Sequence, residues 1–285
     1  MSLRFASALA ASLMVAALFT SPVVTGTAEA KSNCKNTGSF DRWLSGFKQD
    51  AAAAGISRQV INAALGNVTF NPSIIKKDRT QIIFSDDWLT FSGKLISAGR
   101  LKKGAAKLKA NARLFSAIER KFGVPGEVMT AFWALETDFG GFLGNDSTIR
   151  SLATLAYDCR RPEEFREELI AALKLLQHGD LRLDEMKGAW AGEIGQLQFL
   201  PSYYEKHAVD FDGDGRRNMV HSSADALASA ANYMKFLGWK KGQPWLQEVE
   251  VPARLPWEQA DVTIKHPRSQ WAKWGVKMRG GKNLS

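Results

Sequence analysis

The sequence predicts a mainly α-helical protein with an N-terminal helical annex and a short strand-containing C-terminal segment. Three observations carry that prediction. Apolar residues up to Leu237 recur at three- and four-residue spacing, the mark of helices with one buried face. Glycine and proline punctuate those runs, at Gly55, Pro72, Pro125, Gly140, Pro162, Gly179 and Gly238. Beyond Trp245 the texture changes, and Val249, Val251, Pro252, Pro256, Val262 and Ile264 suggest short strands and turns.

Residues 1–30 read as an export signal. Arg4 supplies the charged start, Ala6 to Phe19 an apolar run, and Ala28-Glu29-Ala30 a cleavage site. The run is short for a membrane span, and Lys31-Ser32-Asn33 before Cys34 is no lipid-attachment pattern. A periplasmic protein without a transmembrane anchor is expected. Removing the signal deletes one base, Arg4, and one acid, Glu29, so the net charge stays at +9. A basic exported protein attracts anionic partners, and outside the cytoplasm nucleic acid is not among those expected. The one dense basic cluster, Lys102, Lys103, Lys107 and Lys109, reads as a solvated helix face. Two cysteines in an oxidising compartment favour one Cys34–Cys159 disulfide, with two buried thiols as the alternative. The four histidines show no zinc spacing, and no nucleophile elbow, Walker loop or dinucleotide fingerprint is present.

In chain order, residues 31–110 form the annex. Phe40, Trp43, Leu44 and Phe47 line a first helix, Gly55-Ile56-Ser57 breaks it, and Ser57 caps a second helix ending at Leu65. Asn71-Pro72 marks a turn before a mixed stretch with Gln81, Phe84, Trp88 and Phe91. The core follows over residues 111–245. Its first helix runs from about Asn111 to Phe122, with Leu114, Phe115 and Ile118 inward. Pro162 opens another, with Glu163 and Glu164 in the first turn, Phe165, Leu169, Leu173 and Leu176 inward, and Gly179 as the stop. A glycine-rich loop spans Gly188 to Pro201, and a last helix runs from Ser222 to Leu237. Residues 246–285 are the C-terminal segment.

The stretch Phe132-Trp133-Ala134-Leu135-Glu136-Thr137-Asp138-Phe139-Gly140 carries the chemistry. Pro125 suits the first turn of its helix, and Gly140-Gly141 stops it. Val128, Phe132 and Leu135 form one apolar row; Met129, Trp133 and Glu136 form a second beside it. Glu136 therefore rides the edge of a buried stripe near the negative end of a helix dipole. Both effects raise a carboxyl pKa, as a general acid requires.

Several motifs then follow in order: E-T-x-x-G from Glu136; S-L-A-T-L-A-Y-D from Ser151; R-R-P-E-E-F-R-E-E-L from Arg160. After them come G-A-W-A-G-E-I-G-Q-L-Q-F-L-P-S-Y-Y from Gly188, D-F-D-G-D-G from Asp210 and D-A-L-A-S-A-A-N-Y-M from Asp225. This order resembles the lytic murein transglycosylase B family over residues 40–285. The resemblance implies a lysozyme-like helical core that cleaves the MurNAc–GlcNAc bond of peptidoglycan glycan strands and needs no cofactor for catalysis. It implies Glu136 as the single catalytic acid and base: it protonates the leaving oxygen, then accepts a proton from the sugar's C6 hydroxyl, leaving a 1,6-anhydromuramic end. The substrate's own N-acetyl group replaces a second protein carboxylate. It also implies Arg160, Arg161, Gln198 and Tyr233 as substrate contacts. By residue type, Trp133, Trp190, Tyr203, Tyr204 and Trp239 are candidate sugar faces, and Asn232 is a candidate donor. Pairing of Arg160 and Arg161 with Glu163 or Glu164 is the structural alternative.

Three departures from the family stand out. Ala189 replaces a serine, Glu193 replaces a small residue, and the chain stops at Ser285, short of a core segment that relatives carry. The expected consequence of the last is a folded but less stable protein with weakened substrate binding. Glu193 or Asp138 as a second carboxylate would make the protein a muramidase, and loss of turnover would leave a wall-binding protein.

Asp210-Phe211-Asp212-Gly213-Asp214-Gly215 matches the first half of a calcium loop. Arg216 would offer its carbonyl and Asn218 lies at position nine. His221 stands at position twelve in place of the usual glutamate, and Asp225 is the substitute acid that the family's variant loop suggests. A structural calcium is expected there. The alternative makes Ser222 and Asp225 a helix-capping pair. Protein partners and oligomeric state leave no mark in the sequence.

Overall fold

A computed structural model describes residues 35–80, 87–244 and 246–284. The export signal, Cys34, Gln81, Phe84 and Trp245 lie outside the described residues. The elements are α1 (Phe40–Ala53), α2 (Arg58–Leu65), α3 (Pro72–Arg79), α4 (Trp88–Leu95), α5 (Ala98–Ala110), α6 (Ala112–Phe122), α7 (Gly126–Thr137), β1 (Asp146–Ser147), α8 (Thr148–Tyr157), α9 (Pro162–His178), β2 (Lys187–Gly188), α10 (Pro201–His207), α11 (Ser223–Phe236), β3 (Val249–Glu250), α12 (Arg268–Lys273) and β4 (Lys277–Met278). They form two compact units that divide between residues 240 and 241. The fold is mainly α, as the sequence predicts.

Local chemistry sets most helix boundaries in the first unit. The Ser57 hydroxyl accepts the Val60 N–H and caps α2. Asn71-Pro72, expected as a turn, instead starts α3: the Asn71 side chain accepts the Ser73 N–H, and Pro72 occupies a first-turn position where no N–H is needed. The mixed stretch before residue 110 contains α4 and α5. Neither has a buried residue, so apolar periodicity does not mark them; α5 carries the basic cluster Lys102, Lys103, Lys107 and Lys109, expected as a helix face. The brief α10 also escaped a periodic reading.

The core is centred on α8, where eight of ten residues, among them Ile149, Leu152 and Leu155, are buried. A helix covered on several sides loses its polar face. It packs against α9, α1 and α3; α2 and α10 also lie on α9, while α11 and α6 pack together beside α7. Arg150 of α8 donates to the carbonyls of Thr69 and Phe70, tying α8 to the chain before α3. Helices from residues 31–110 and 111–240 share this one unit, so a separate annex is a proposal about its folding.

In the second unit β3 pairs antiparallel with β4, Val249 opposite Met278 and Glu250 opposite Lys277. Its strands are fewer than the valine and proline texture suggests. Val262 and Ile264 lie outside them, and α12 was not expected. His266, Trp271 and Trp274 pack edge to face. Among the described residues only Leu255 and Val276 of this unit are buried apolar side chains.

Candidate active site

Helix α7 places Glu136 in its last turn, half-buried. Trp133, one turn earlier, and Thr137, the next residue, are 3% and 1% exposed. Val128 is buried, but Phe132 and Leu135 are only half-buried, so the row beside Glu136 is the deeper one. Pro125 sits one position before the first turn, as the N-cap.

The helix stop differs from the expected glycine pair. Asp138 (φ 49°), Phe139 (φ 64°) and Gly140 (φ 80°) are all left-handed. Two non-glycine residues in that region cost about 1–3 kcal/mol each, and surrounding bonds hold them. Asp138 N donates to Ala134 O, Phe139 N to Trp133 O and Gly140 N to the Thr137 hydroxyl. Lys103 Nζ donates to the Asp138 carboxylate at 2.7 Å and to its carbonyl at 3.1 Å. These lysine bonds, with Arg100 near, hold the Asp138 carboxyl below the usual carboxylate range. Asp138 thus stands ionised in an ion pair with Lys103 of α5.

Facing α7 is the 188–200 loop. β2 pairs with β1, and successive bridges Gly188–Ile194 and Ile194–Phe199 fold the loop back on itself. Backbone meets backbone so closely that a Cβ on Gly188 would lie 1.8 Å from Glu193 O. Ala189 N donates to that same carbonyl, and Glu193 is 7% exposed.

Gln196 joins this loop to α7, a residue that sequence reasoning missed. Its Oε1 accepts from Trp133 Nε1 at 2.9 Å, and its backbone carbonyl accepts from the Thr137 hydroxyl at 2.7 Å. The signal in the sequence is a glutamine directly behind a glycine, in G-E-I-G-Q. Gln198 itself is left-handed (φ 50°), and its amide N donates to Leu143 O and Gly195 O.

The other expected substrate residues are placed as follows. Tyr233 lies in a ring cluster with Phe199, Tyr203, His207 and Phe236, at 4.9 Å from His207 and 5.1 Å from Tyr203. Burial first, and then Tyr203, push its hydroxyl pKa well up. Arg160 and Arg161 both reach the buried carboxylate of Asp78, at 2.7 and 2.6 Å. Their principal partner is therefore Asp78 on α3, not Glu163 or Glu164; Arg161 lies 3.6 Å from Glu164. Trp133 and Tyr204 are buried and present no sugar face; Trp190, Tyr203 and Trp239 are half-buried. The Asn232 amide donates to His207 O. Cys159 is no free thiol among the described residues.

The acidic loop brings Asp210, Asp212, Asp214 and Asp225 together, with ligand atoms all within 4.8 Å of one another. Asp225 is fully buried and accepts N–H groups from Phe211, Asp212 and Asn218. Burial foremost, with repulsion from Asp212, raises its pKa despite those bonds. Ser222 Oγ accepts the Asp225 N–H and donates to Asp212, so the capping arrangement coexists with the cluster. The Arg216 guanidinium reaches away to Gly179 O, Asp180 O and Glu185. Asn218 Oδ1 accepts from Val220 N and His221 N, and His221 lies 3.3 Å from Glu185, so neither side chain joins the cluster.

The Transglycosylase SLT domain family matches residues 39–285. Membrane-bound lytic murein transglycosylase B of Escherichia coli is 34% identical over 156 residues, 54% of this chain and 43% of that protein. SltB3 from Pseudomonas aeruginosa, solved with a NAG-anhNAM-pentapeptide, is 40% identical with a TM-score of 0.82, covering 87% of this chain and 66% of that one. The E. coli lytic transglycosylase Slt35, solved with calcium, is 27% identical with a TM-score of 0.72, covering 83% and 75%. The chain thus spans under two thirds of the length of the first two.

Proposed function

The chain belongs to the lytic murein transglycosylase B family, and from that premise we propose that it cleaves the MurNAc–GlcNAc bond of peptidoglycan and leaves 1,6-anhydromuramic ends. The observation that carries the reading is Glu136 on the last turn of α7, half-buried between two residues anchored to one glutamine. The protonated Glu136 carboxyl donates to the leaving oxygen. The resulting carboxylate then accepts the C6 hydroxyl proton as that oxygen closes on the anomeric carbon. No water enters and no cofactor takes part in the step.

Tyr233, with its ring cluster, serves as a sugar face, and Gln198 contributes its carbonyl side, since its amide N is engaged within the protein. Arg160 and Arg161 act on substrate from their Asp78 anchor, which fixes their direction. Calcium has a structural role. Four converging carboxylates form the hard oxygen set it prefers; Asp210, Asp212, Asp214 and Asp225 would hold it with the Arg216 carbonyl. The protein is exported to the periplasm, where a Cys34–Cys159 bridge adds about 2–5 kcal/mol. Thiol labelling of denatured, unreduced protein should then find no free cysteine. No helix among the described residues is long and apolar enough to cross a membrane.

A muramidase is the competing reading, with the buried Glu193 or the lysine-paired Asp138 as its second carboxylate. Digestion of purified sacculi decides between them. Mass spectrometry should find anhydro ends; reducing ends alone would establish hydrolysis, and no release would leave wall binding without turnover.

A further inference from the structure

We propose that Gln196 is the positioning residue for Glu136, an inference that rests on the assignment of Glu136 as the acid. Gln196 is 6% exposed, and its bonds run in two directions. Toward α7, Oε1 accepts from Trp133 Nε1 and the backbone carbonyl accepts from the Thr137 hydroxyl, at 2.9 and 2.7 Å. Toward the chain before α11, the backbone N donates to Met219 O at 2.9 Å and Nε2 donates to Val220 O at 3.2 Å. Ser223 Oγ, in the first turn of α11, donates to Oε1 at 3.0 Å. An indole N–H can only donate and a backbone carbonyl only accept, so these partners fix which end of the amide faces which element.

Trp133 and Thr137 are the residues three before and one after Glu136. A rigid side chain holding the first, and its backbone holding the second, fix the rotation and depth of the turn that carries the carboxyl. Small misplacements of an acid are costly because proton transfer needs hydrogen-bond reach. Gln196 also crowds the chain just beyond α7: a Cβ at Gly140 would meet Gln196 Oε1 at 3.0 Å. Gln196 fixes the acid and does not bind the sugar, since its side chain is buried and its polar atoms are engaged inside the protein.

The test uses full-length protein on purified sacculi with three variants: Gln196→Met, Trp133→Phe and the pair combined. Gln196→Met should lower kcat at least about tenfold and leave KM within about twofold. It also strands the Trp133 N–H, so Tm should fall. The pair removes both partners of the Trp133 bond, so Tm should recover in part while kcat stays low, because the bonds to Val220 and Ser223 are still missing. Recovery of kcat together with Tm would reduce Gln196 to a structural role and overturn the inference. So would parental kcat in Gln196→Met beside an inert Glu136→Gln. An active Glu136→Gln would instead overturn the acid assignment on which the inference rests.

Discussion

The Gln196 junction and the acidic loop both gather polar groups below the surface, and they do so by opposite means. At Gln196 each amide and backbone group meets a complementary neutral partner, donor to acceptor. In the loop four carboxylates converge, and the buried one is forced toward its protonated form. Neutral complementarity organises a site without help from solution. Clustered like charge leaves repulsion in the fold that a cation relieves. The first arrangement suits the turn that holds the proposed acid; the second suits a structural ion site.

Asp225→Ala should sharpen this contrast most, because Asp225 also organises backbone. Removing it strands the N–H groups of Phe211, Asp212 and Asn218, with a loss of about 3 kcal/mol. Denaturant unfolding should show that loss without calcium and a larger one with it. A loss under about 1 kcal/mol would mean that water satisfies those groups and the loop is not built on Asp225.

A smaller effect is expected from calcium. A ligand bound only by the folded state adds RT ln(1 + [L]/Kd), about 1.4 kcal/mol at ten times Kd. Asp212→Ala should remove the shift and leave calcium-free stability little changed. A melting curve that ignores millimolar calcium would break the comparison, leaving two sites that are both complete without a ligand.

The smallest and most specific effect is on pH. The Asp225 pKa is raised in the folded state above 3.8. In calcium-free protein its contribution therefore favours the fold fully below that value and wanes as pH rises through the folded pKa. Calcium requires the ionised form, so its stabilising increment runs the other way and grows over the same interval. The calcium-dependent Tm shift should be larger near pH 7 than near pH 4. Equal shifts would remove Asp225 from the ligand set.

Much of this was legible because the residues responsible stand close together in the chain. The row Met129, Trp133 and Glu136, the Ser57 cap and the α9 helix from Pro162 to Gly179 depend on neighbours within a few turns. The acidic loop was legible for the same reason. Pairing across distance was not. Asp78 and Arg160 are 82 positions apart, and a local reading turned to Glu163 and Glu164 instead. Trp133 and Gln196 are 63 apart, and a neutral glutamine leaves no charge pattern to betray a buried hub. Helix α4 was hidden because it has no buried residue, and α5, likewise without one, was marked only by its basic face at Lys102, Lys103, Lys107 and Lys109.

The central claim is that Glu136 is the acid and base of a cleavage without water. Its most direct test is Glu136→Gln protein on purified sacculi, with soluble products read by mass spectrometry beside the parent. Glutamine keeps the shape and cannot donate an acid proton. The account predicts anhydro-muropeptides from the parent and none from the variant, with both proteins melting cooperatively at similar temperatures. Anhydro-muropeptides released by the variant at a rate near the parent's would contradict it.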